Sequence, residues 1–207
     1  MDTKTKEKLL TLPNILTLLR ICLVPVFVIM VLRKQGFGAL LIFFLAGLTD
    51  VLDGLTARMW HLKTKIGTLI DPIADKLLLS TAFILLTFKD MDLPYMIPLW
   101  LTAVVVSRDL IMLTGGVVIY LWKGARNFLP SIFGKISTVL QVGTVFLVLL
   151  ANYVQASSWS RFSLLSSLAS PSFLSAFFVI TLASTIVSGA YYILRGIRMA
   201  FFIPKIG

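Results

Sequence analysis

The chain has 207 residues, 58% of them hydrophobic and only 14% charged, with a mean hydropathy of +0.96. A soluble domain keeps about a quarter of its residues charged, so the composition excludes an ordinary globular enzyme and fits one polytopic membrane domain over 1–207. The net charge of +10 would suit a nucleic-acid binder, but no soluble basic segment carries it, so no nucleic-acid partner is expected; in a membrane protein such an excess marks cytoplasmic loops beside anionic lipid.

Residues 1–12 are charged and amphipathic, with Lys4, Lys6, Glu7 and Lys8 set against Leu9, Leu10 and Leu12. They read as a juxtamembrane interfacial helix rather than a removable signal peptide. Pro13-Asn14 then predicts a helix start with Asn14 as its N-cap. Six long apolar stretches follow, at about 15–32, 37–57, 67–88, 94–122, 136–154 and 173–194, each near the ~20 residues that a spanning helix needs. Two of the gaps are very short, which makes the helices on either side antiparallel hairpins. The lone Cys22 lies in the first stretch and reports nothing about redox compartment. Residues 156–172, rich in serine, form the one long external loop.

Basic residues in the connections orient the bundle. With the N-terminus cytoplasmic, that side receives twelve of them (Lys4, Lys6, Lys8, Arg58, Lys63, Lys65, Lys123, Arg126, Lys135, Arg195, Arg198, Lys205) against four outside (Arg33, Lys34, Lys89, Arg161). The expected fold is therefore all-α and integral to the membrane: an N-terminal interfacial amphipathic helix and six transmembrane helices, both termini cytoplasmic.

The remaining basic residues, Arg20, Lys76 and Arg108, stand inside apolar stretches, and so, or at their edges, do Asp50, Asp53, Asp71, Asp75 and Asp109. Facing lipid, each would cost roughly 2.5–3.5 kcal/mol on insertion scales, so they must meet one another, a metal or water. Asp50 and Asp53 are at i, i+3 near the inner end of the second helix; Asp71 and Asp75 are at i, i+4 near the inner start of the third. Each pair lies on one helical face. At ~1.5 Å per residue, all four sit at one depth, about 12 Å inside Arg58 and Gly67. Carboxylates gathered without cations repel one another. Hard divalent ions remove that repulsion, and oxygen ligands without a Cys or His cluster favour Mg²⁺ or Mn²⁺ over Zn²⁺. Four carboxylates can hold two such ions, an arrangement suited to in-line displacement at phosphorus.

The run Asp50-x-x-Asp53-Gly54-x-x-Ala57-Arg58, eight residues, then Gly67-x-x-x-Asp71-x-x-x-Asp75 resembles, position for position, the signature of the CDP-alcohol phosphatidyltransferase family. Weaker likenesses run through Leu12-Pro13-Asn14 to Arg20, Ser107-Arg108-Asp109 and Gly134-Lys135. The resemblance implies that Asp50, Asp53 and Asp71 bind metal and that Asp75 is partly ligand and mainly general base. It implies that Gly54, Ala57 and Gly67 let a CDP-lipid approach the backbone, and that Arg58 holds its phosphate charge. CDP-diacylglycerol would be the donor and CMP the leaving group, in a homodimer.

The acceptor side would fall to Arg108, Asp109, Lys135 and Arg20. Phosphatidylglycerophosphate synthases of the family usually show Arg-Glu, a further Arg about two turns later, and Gly-Lys-x-Lys-Thr. This chain has Arg108-Asp109, no basic residue from 110 to 122, and Gly134-Lys135-Ile136-Ser137-Thr138. Two cations are missing relative to a pocket for glycerol 3-phosphate, a dianion, whereas Ser-Arg-Asp looks like the cardiolipin synthases, whose acceptor phosphatidylglycerol carries one negative charge. The reading favours phosphatidylglycerol, with glycerol 3-phosphate as the alternative. The short N-terminus, without a transit peptide, favours a bacterial inner membrane and a cytoplasmic active site.

Plainer roles compete for several residues. Arg20 and Lys76 are able to snorkel to the interface, and Arg108-Asp109 could be a self-satisfied pair between helices. Lys135 sits at a helix end where basic residues are common. His61 reads as interfacial, and Gly115-Gly116, Ser184 and Ser188 as close-packing positions. A small transporter also buries acids, but near the midplane on broken helices with internal symmetry, which this sequence does not show. An intramembrane metalloprotease would need His-Glu-x-x-His, which is absent.

Overall fold

The computed structural model describes residues 12–59, 76–88, 93–123, 131–157 and 167–202. Among them the chain is helical, with no strand. The long helices are α1 Leu12–Leu32, α2 Gly36–Met59, α3 (as far as it is described) Lys76–Leu85, α4 Leu99–Lys123, α5 Ile132–Ala156 and α6 Pro171–Phe202. Each apolar stretch of the sequence thus contains a helix. Three runs, Ile15–Leu32, Ile132–Ala156 and Pro171–Arg198, are long and apolar enough to cross a membrane. The interfacial helix expected over 1–12 lies, Leu12 apart, outside the described residues.

Burial is partly inverted relative to a water-soluble protein: Phe27, Phe83, Leu86 and Leu101 are among the buried apolar side chains, yet many polar groups are buried and many large apolar ones are not. Leu18, Phe37, Leu99, Val139 and Leu194 are among many large apolar side chains left exposed, while Arg20, Arg108, Gln141, Thr144, Thr181, Thr185 and Ser188 are buried. Water would reverse that distribution; a hydrocarbon solvent produces it, because polar groups must then find partners inside the protein. Helix length, composition and this inversion make the chain a membrane protein.

The chain divides into two compact units, Met1–Leu85 and Leu86–Gly207. In the first, α1 and α2 pack as a hairpin, as their short connection predicts. Phe27 and Phe43 meet with ring centroids 5.9 Å apart. At the turn Lys34 adopts φ 55°, a left-handed conformation uncommon for a side chain this long. The turn is closed by Lys34 N–H donating to Val31 O at 2.9 Å and Gln35 N–H to Met30 O at 3.0 Å. α1 begins at Leu12, so Asn14 falls inside its first turn instead of capping it; Pro13 is suited to that turn because its missing N–H has no intrahelical acceptor.

In the second unit α4 and α5 both pack on α6. α4 starts at Leu99 rather than near 94. Pro94 and Pro98 break the apolar stretch, and Pro98 O accepts the first helical bonds, from Leu101 N at 3.0 Å and Thr102 N at 3.2 Å. α5 starts earlier than its apolar run because Ser131 caps it, Oγ accepting from Gly134 N at 3.0 Å. Lys135 therefore lies within the first turn.

Candidate active site

α2 continues unbroken to Met59, so Asp50, Asp53, Gly54, Ala57 and Arg58 occupy helical positions i, i+3, i+4, i+7 and i+8 of one continuous element. Their side chains, and all of Gly67, Asp71 and Asp75, lie outside the described residues. Among the described residues no three His, Cys, Asp or Glu side chains gather as a metal site. The residue types expected as ligands fit a hard divalent ion: all four are aspartates, and Asp50 and Asp53 fall one turn apart in the uninterrupted α2.

Arg20 is buried at 1% exposure in α1, and Thr17, one turn earlier, is buried too. Helical spacing of three places them on one face of α1, inside the first unit.

Arg108 and Asp109 are together and buried in the second unit, each side chain 4% exposed, with Nη1 donating to Oδ1 at 2.7 Å. Neighbouring helical residues point about 100° apart, so only the length of the arginine lets it fold back onto the next residue's carboxylate. Its other terminal nitrogen, Nη2, donates to Ser188 Oγ of α6 at 2.6 Å. The guanidinium carbon stands 5.7 Å from the centroid of the Tyr192 ring, within cation–π range. Arg108 Nε is buried with no hydrogen-bond partner among the described residues. Ser107, third member of the Ser-Arg-Asp string, is exposed and donates to Ala103 O of its own helix.

Lys135 is exposed, and the buried face of α5 runs instead through Gly134, Ser137, Gln141 and Thr144. A cation in a first helical turn meets the positive end of the peptide dipoles, so helix stability does not account for it. The structure thus joins Arg108 to Asp109 and sets Lys135 on a different face of its helix from the buried polar row.

Sequence reading missed the partners on α6. Thr181, Thr185, Ser188 and Tyr192 recur at i, i+4, i+7 and i+11, and opposite them Ser137, Gln141 and Thr144 recur at i, i+4 and i+7. Ser137 and Thr185 hydroxyls lie 3.2 Å apart, Gln141 Nε2 donates to both at 3.2 and 3.3 Å, and Thr144 and Thr181 hydroxyls meet at 2.9 Å. Hydroxyl and amide residues repeating at helical spacing were the available signal.

Comparison with known proteins shows the family of the chain. A family model described as CDP-alcohol phosphatidyltransferase matches residues 10–187. Cardiolipin synthase (CMP-forming) of Rattus norvegicus is 42% identical over 112 residues, 54% of this chain and 35% of that protein. The Streptomyces coelicolor protein of the same name is 37% identical, covering 52% of this chain and 50% of its own length. The CDP-diacylglycerol–glycerol-3-phosphate 3-phosphatidyltransferase of Bacillus subtilis is 34% identical over 68% of this chain and 77% of its own. The chain spans about a third to a half of the length of the first two relatives.

Proposed function

We propose, for a chain that belongs to the CDP-alcohol phosphatidyltransferase family, that it transfers the phosphatidyl group of CDP-diacylglycerol to a glycerol hydroxyl of phosphatidylglycerol. In that reaction the bond from phosphorus to the acceptor oxygen forms as the bond from phosphorus to CMP breaks. Asp75 accepts the hydroxyl proton, a role worth roughly 10²–10⁴ in rate for a well-placed base. Asp50, Asp53 and Asp71, with Asp75, would hold Mg²⁺ or Mn²⁺, which when bound neutralises the pyrophosphate and the departing CMP. Arg58 binds phosphate charge, while Gly54, Ala57 and Gly67 keep the backbone accessible to the nucleotide. Arg108 faces the phosphate of the acceptor, with Asp109, Lys135 and Arg20 as further acceptor-side groups. Six spans with both termini cytoplasmic, in a bacterial inner membrane and as a homodimer, complete the reading.

The observation that carries the acceptor assignment is the pairing of Arg108 with Asp109, which offsets its charge among the described residues. Among those residues the contacts of Arg108 are a carboxylate, a hydroxyl and a phenol ring, and the carboxylate of Asp109 is bound to the guanidinium itself. Such a cluster suits a phosphodiester with one negative charge better than a dianionic monoester. Relatives bear both kinds of name, so the second reading is glycerol 3-phosphate.

The test is CMP release by the purified chain with Mg²⁺ and CDP-diacylglycerol, given either acceptor alone. Activity with phosphatidylglycerol only is expected; activity with glycerol 3-phosphate only would overturn the acceptor assignment and leave the family chemistry intact. Asp71→Asn and Asp75→Asn should each lower CMP release at least ~100-fold, and a chelator should abolish it until Mg²⁺ or Mn²⁺ is restored. Full activity in either variant would falsify the carboxylate assignment.

A further inference from the structure

We infer that Ser188 and Tyr192 of α6 are positioning residues that aim the Arg108 guanidinium at the acceptor phosphate, and that residue 134 is glycine to leave room for Tyr192. The inference rests on the reading of Arg108 as the contact to that phosphate.

An arginine side chain has four rotatable bonds and, left alone, samples many orientations. Here three contacts restrict it. Nη1 is bound to Asp109 Oδ1 at 2.7 Å and Nη2 to Ser188 Oγ at 2.6 Å, so two separate nitrogens of a rigid planar fork are held by α4 and α6. The Tyr192 ring, 5.7 Å from the guanidinium carbon, supplies a third constraint. Asp109 is Arg108's own neighbour in sequence and moves with α4. Orientation relative to the rest of the unit therefore depends on the two α6 residues. Nε–H, buried and without a hydrogen bond among the described residues, is a donor these contacts leave for a phosphate oxygen.

Tyr192 is itself held. Its hydroxyl oxygen accepts from Ser131 N at 3.3 Å, at the start of α5, and its ring stands edge-on to Tyr191 with centroids 6.2 Å apart. A Cβ on Gly134 would lie 2.9 Å from the Tyr192 hydroxyl oxygen, closer than real Cβ atoms approach, and 3.1 Å from Cε2, tighter than most Cβ contacts. The hydroxyl end of the ring, or the first turn of α5, would then have to shift. Gly134 thus acts through Tyr192, and Tyr192 links the first turn of α5 to Arg108. Gly189 is the contrasting case: a Cβ there would meet Arg108 Cγ at 3.5 Å, ordinary contact.

The experiment measures CMP release by the full chain and takes KM for acceptor, KM for CDP-diacylglycerol and kcat separately, with whichever acceptor the chain uses. Ser188→Ala and Tyr192→Leu should each raise acceptor KM by about 5- to 20-fold. Donor KM, and kcat at saturating acceptor, should stay within about twofold. Tyr192→Phe keeps the ring and should stay within about threefold of the parent. Gly134→Ala should raise acceptor KM, and adding Tyr192→Phe, which removes the atom at 2.9 Å, should restore much of it. Gly189→Ala should change nothing.

If Arg108→Lys raises acceptor KM while Ser188→Ala and Tyr192→Leu do not, the positioning roles are wrong and the reading of Arg108 stands. If Arg108→Lys leaves acceptor KM unchanged, that reading fails and takes the inference with it. If the α6 variants instead depress kcat and shift both KM values together, their role is structural and the inference is overturned.

Discussion

Asn152 illustrates how much a single amide does when water is absent. It is buried in α5, and its Oδ1 accepts from Tyr95 N at 3.0 Å while Nδ2 donates to Tyr95 O at 2.8 Å and to Val148 O at 2.9 Å. Both backbone groups of one connecting residue are thereby satisfied by one side chain. Asn152→Leu would take both partners from Tyr95, whose backbone groups are half-buried, at no more than about 1–3 kcal/mol for each group left unsatisfied. The expected result is a clear fall in the thermal unfolding midpoint in detergent, with both KM values unchanged; an unaltered midpoint would show that the clamp adds no stability. At this scale sequence reading is uneven. Charged residues in apolar surroundings stand out, because their insertion cost demands a partner, and Arg108 and Asp109 were found that way. An uncharged amide such as Asn152 carries no comparable cost signal, and its partner is a backbone 57 positions away. Ser188 looked like a close-packing residue for the same reason: a serine in a helix is small first and a hydrogen-bond partner only once a neighbour is known.

Elements obey a related logic. Helices in lipid gain little from burying leucine, since the solvent is as apolar as the side chain, so their faces are chosen by small and polar residues. The α5–α6 interface follows this rule, with Thr185 Oγ1 shared between Ser137 and Gln141 and itself donating to Thr181 O at 2.7 Å. Thr185→Val keeps the shape and removes the hydroxyl. It should destabilise the second unit by about 0.6–1.7 kcal/mol, measurable as an earlier unfolding transition in denaturing detergent. No change would mean that packing alone holds these helices. Helix existence was legible in all six stretches, because uninterrupted apolar length is a strong signal. Ends were less so. α4 starts at Leu99 because of Pro98, and α5 at Ile132 because Ser131 caps it, whereas hydropathy marks only where the bilayer begins. Which face of each apolar helix turns inward is equally invisible to mean hydropathy and emerges only from the recurring hydroxyls.

For the whole molecule, the distribution of charge sets a testable orientation. Basic residues in the connections fall twelve to four on the side assigned to the cytoplasm, and a bias of that size sets topology in short-looped membrane proteins. The proposed six-span arrangement puts Arg33 and Gln155 outside and Arg198 inside, and all three are exposed. The only cysteine, Cys22, is itself exposed, so Cys22→Ser gives a background without thiols at little structural cost. In that background Arg33→Cys and Gln155→Cys should react with a membrane-impermeant maleimide added to intact spheroplasts. Arg198→Cys should react only after permeabilisation. Arg198→Cys labelling in intact cells would reverse the orientation, and protection of Gln155→Cys alone would remove two crossings from the count. The consequence reaches the chemistry. A nucleotide made in the cytoplasm cannot cross the bilayer, so the proposed donor site of Asp50, Asp53, Asp71 and Asp75 requires a cytoplasmic opening, the side that the proposed topology also gives to Arg198. An inverted label pattern would therefore contradict the donor assignment as well as the topology.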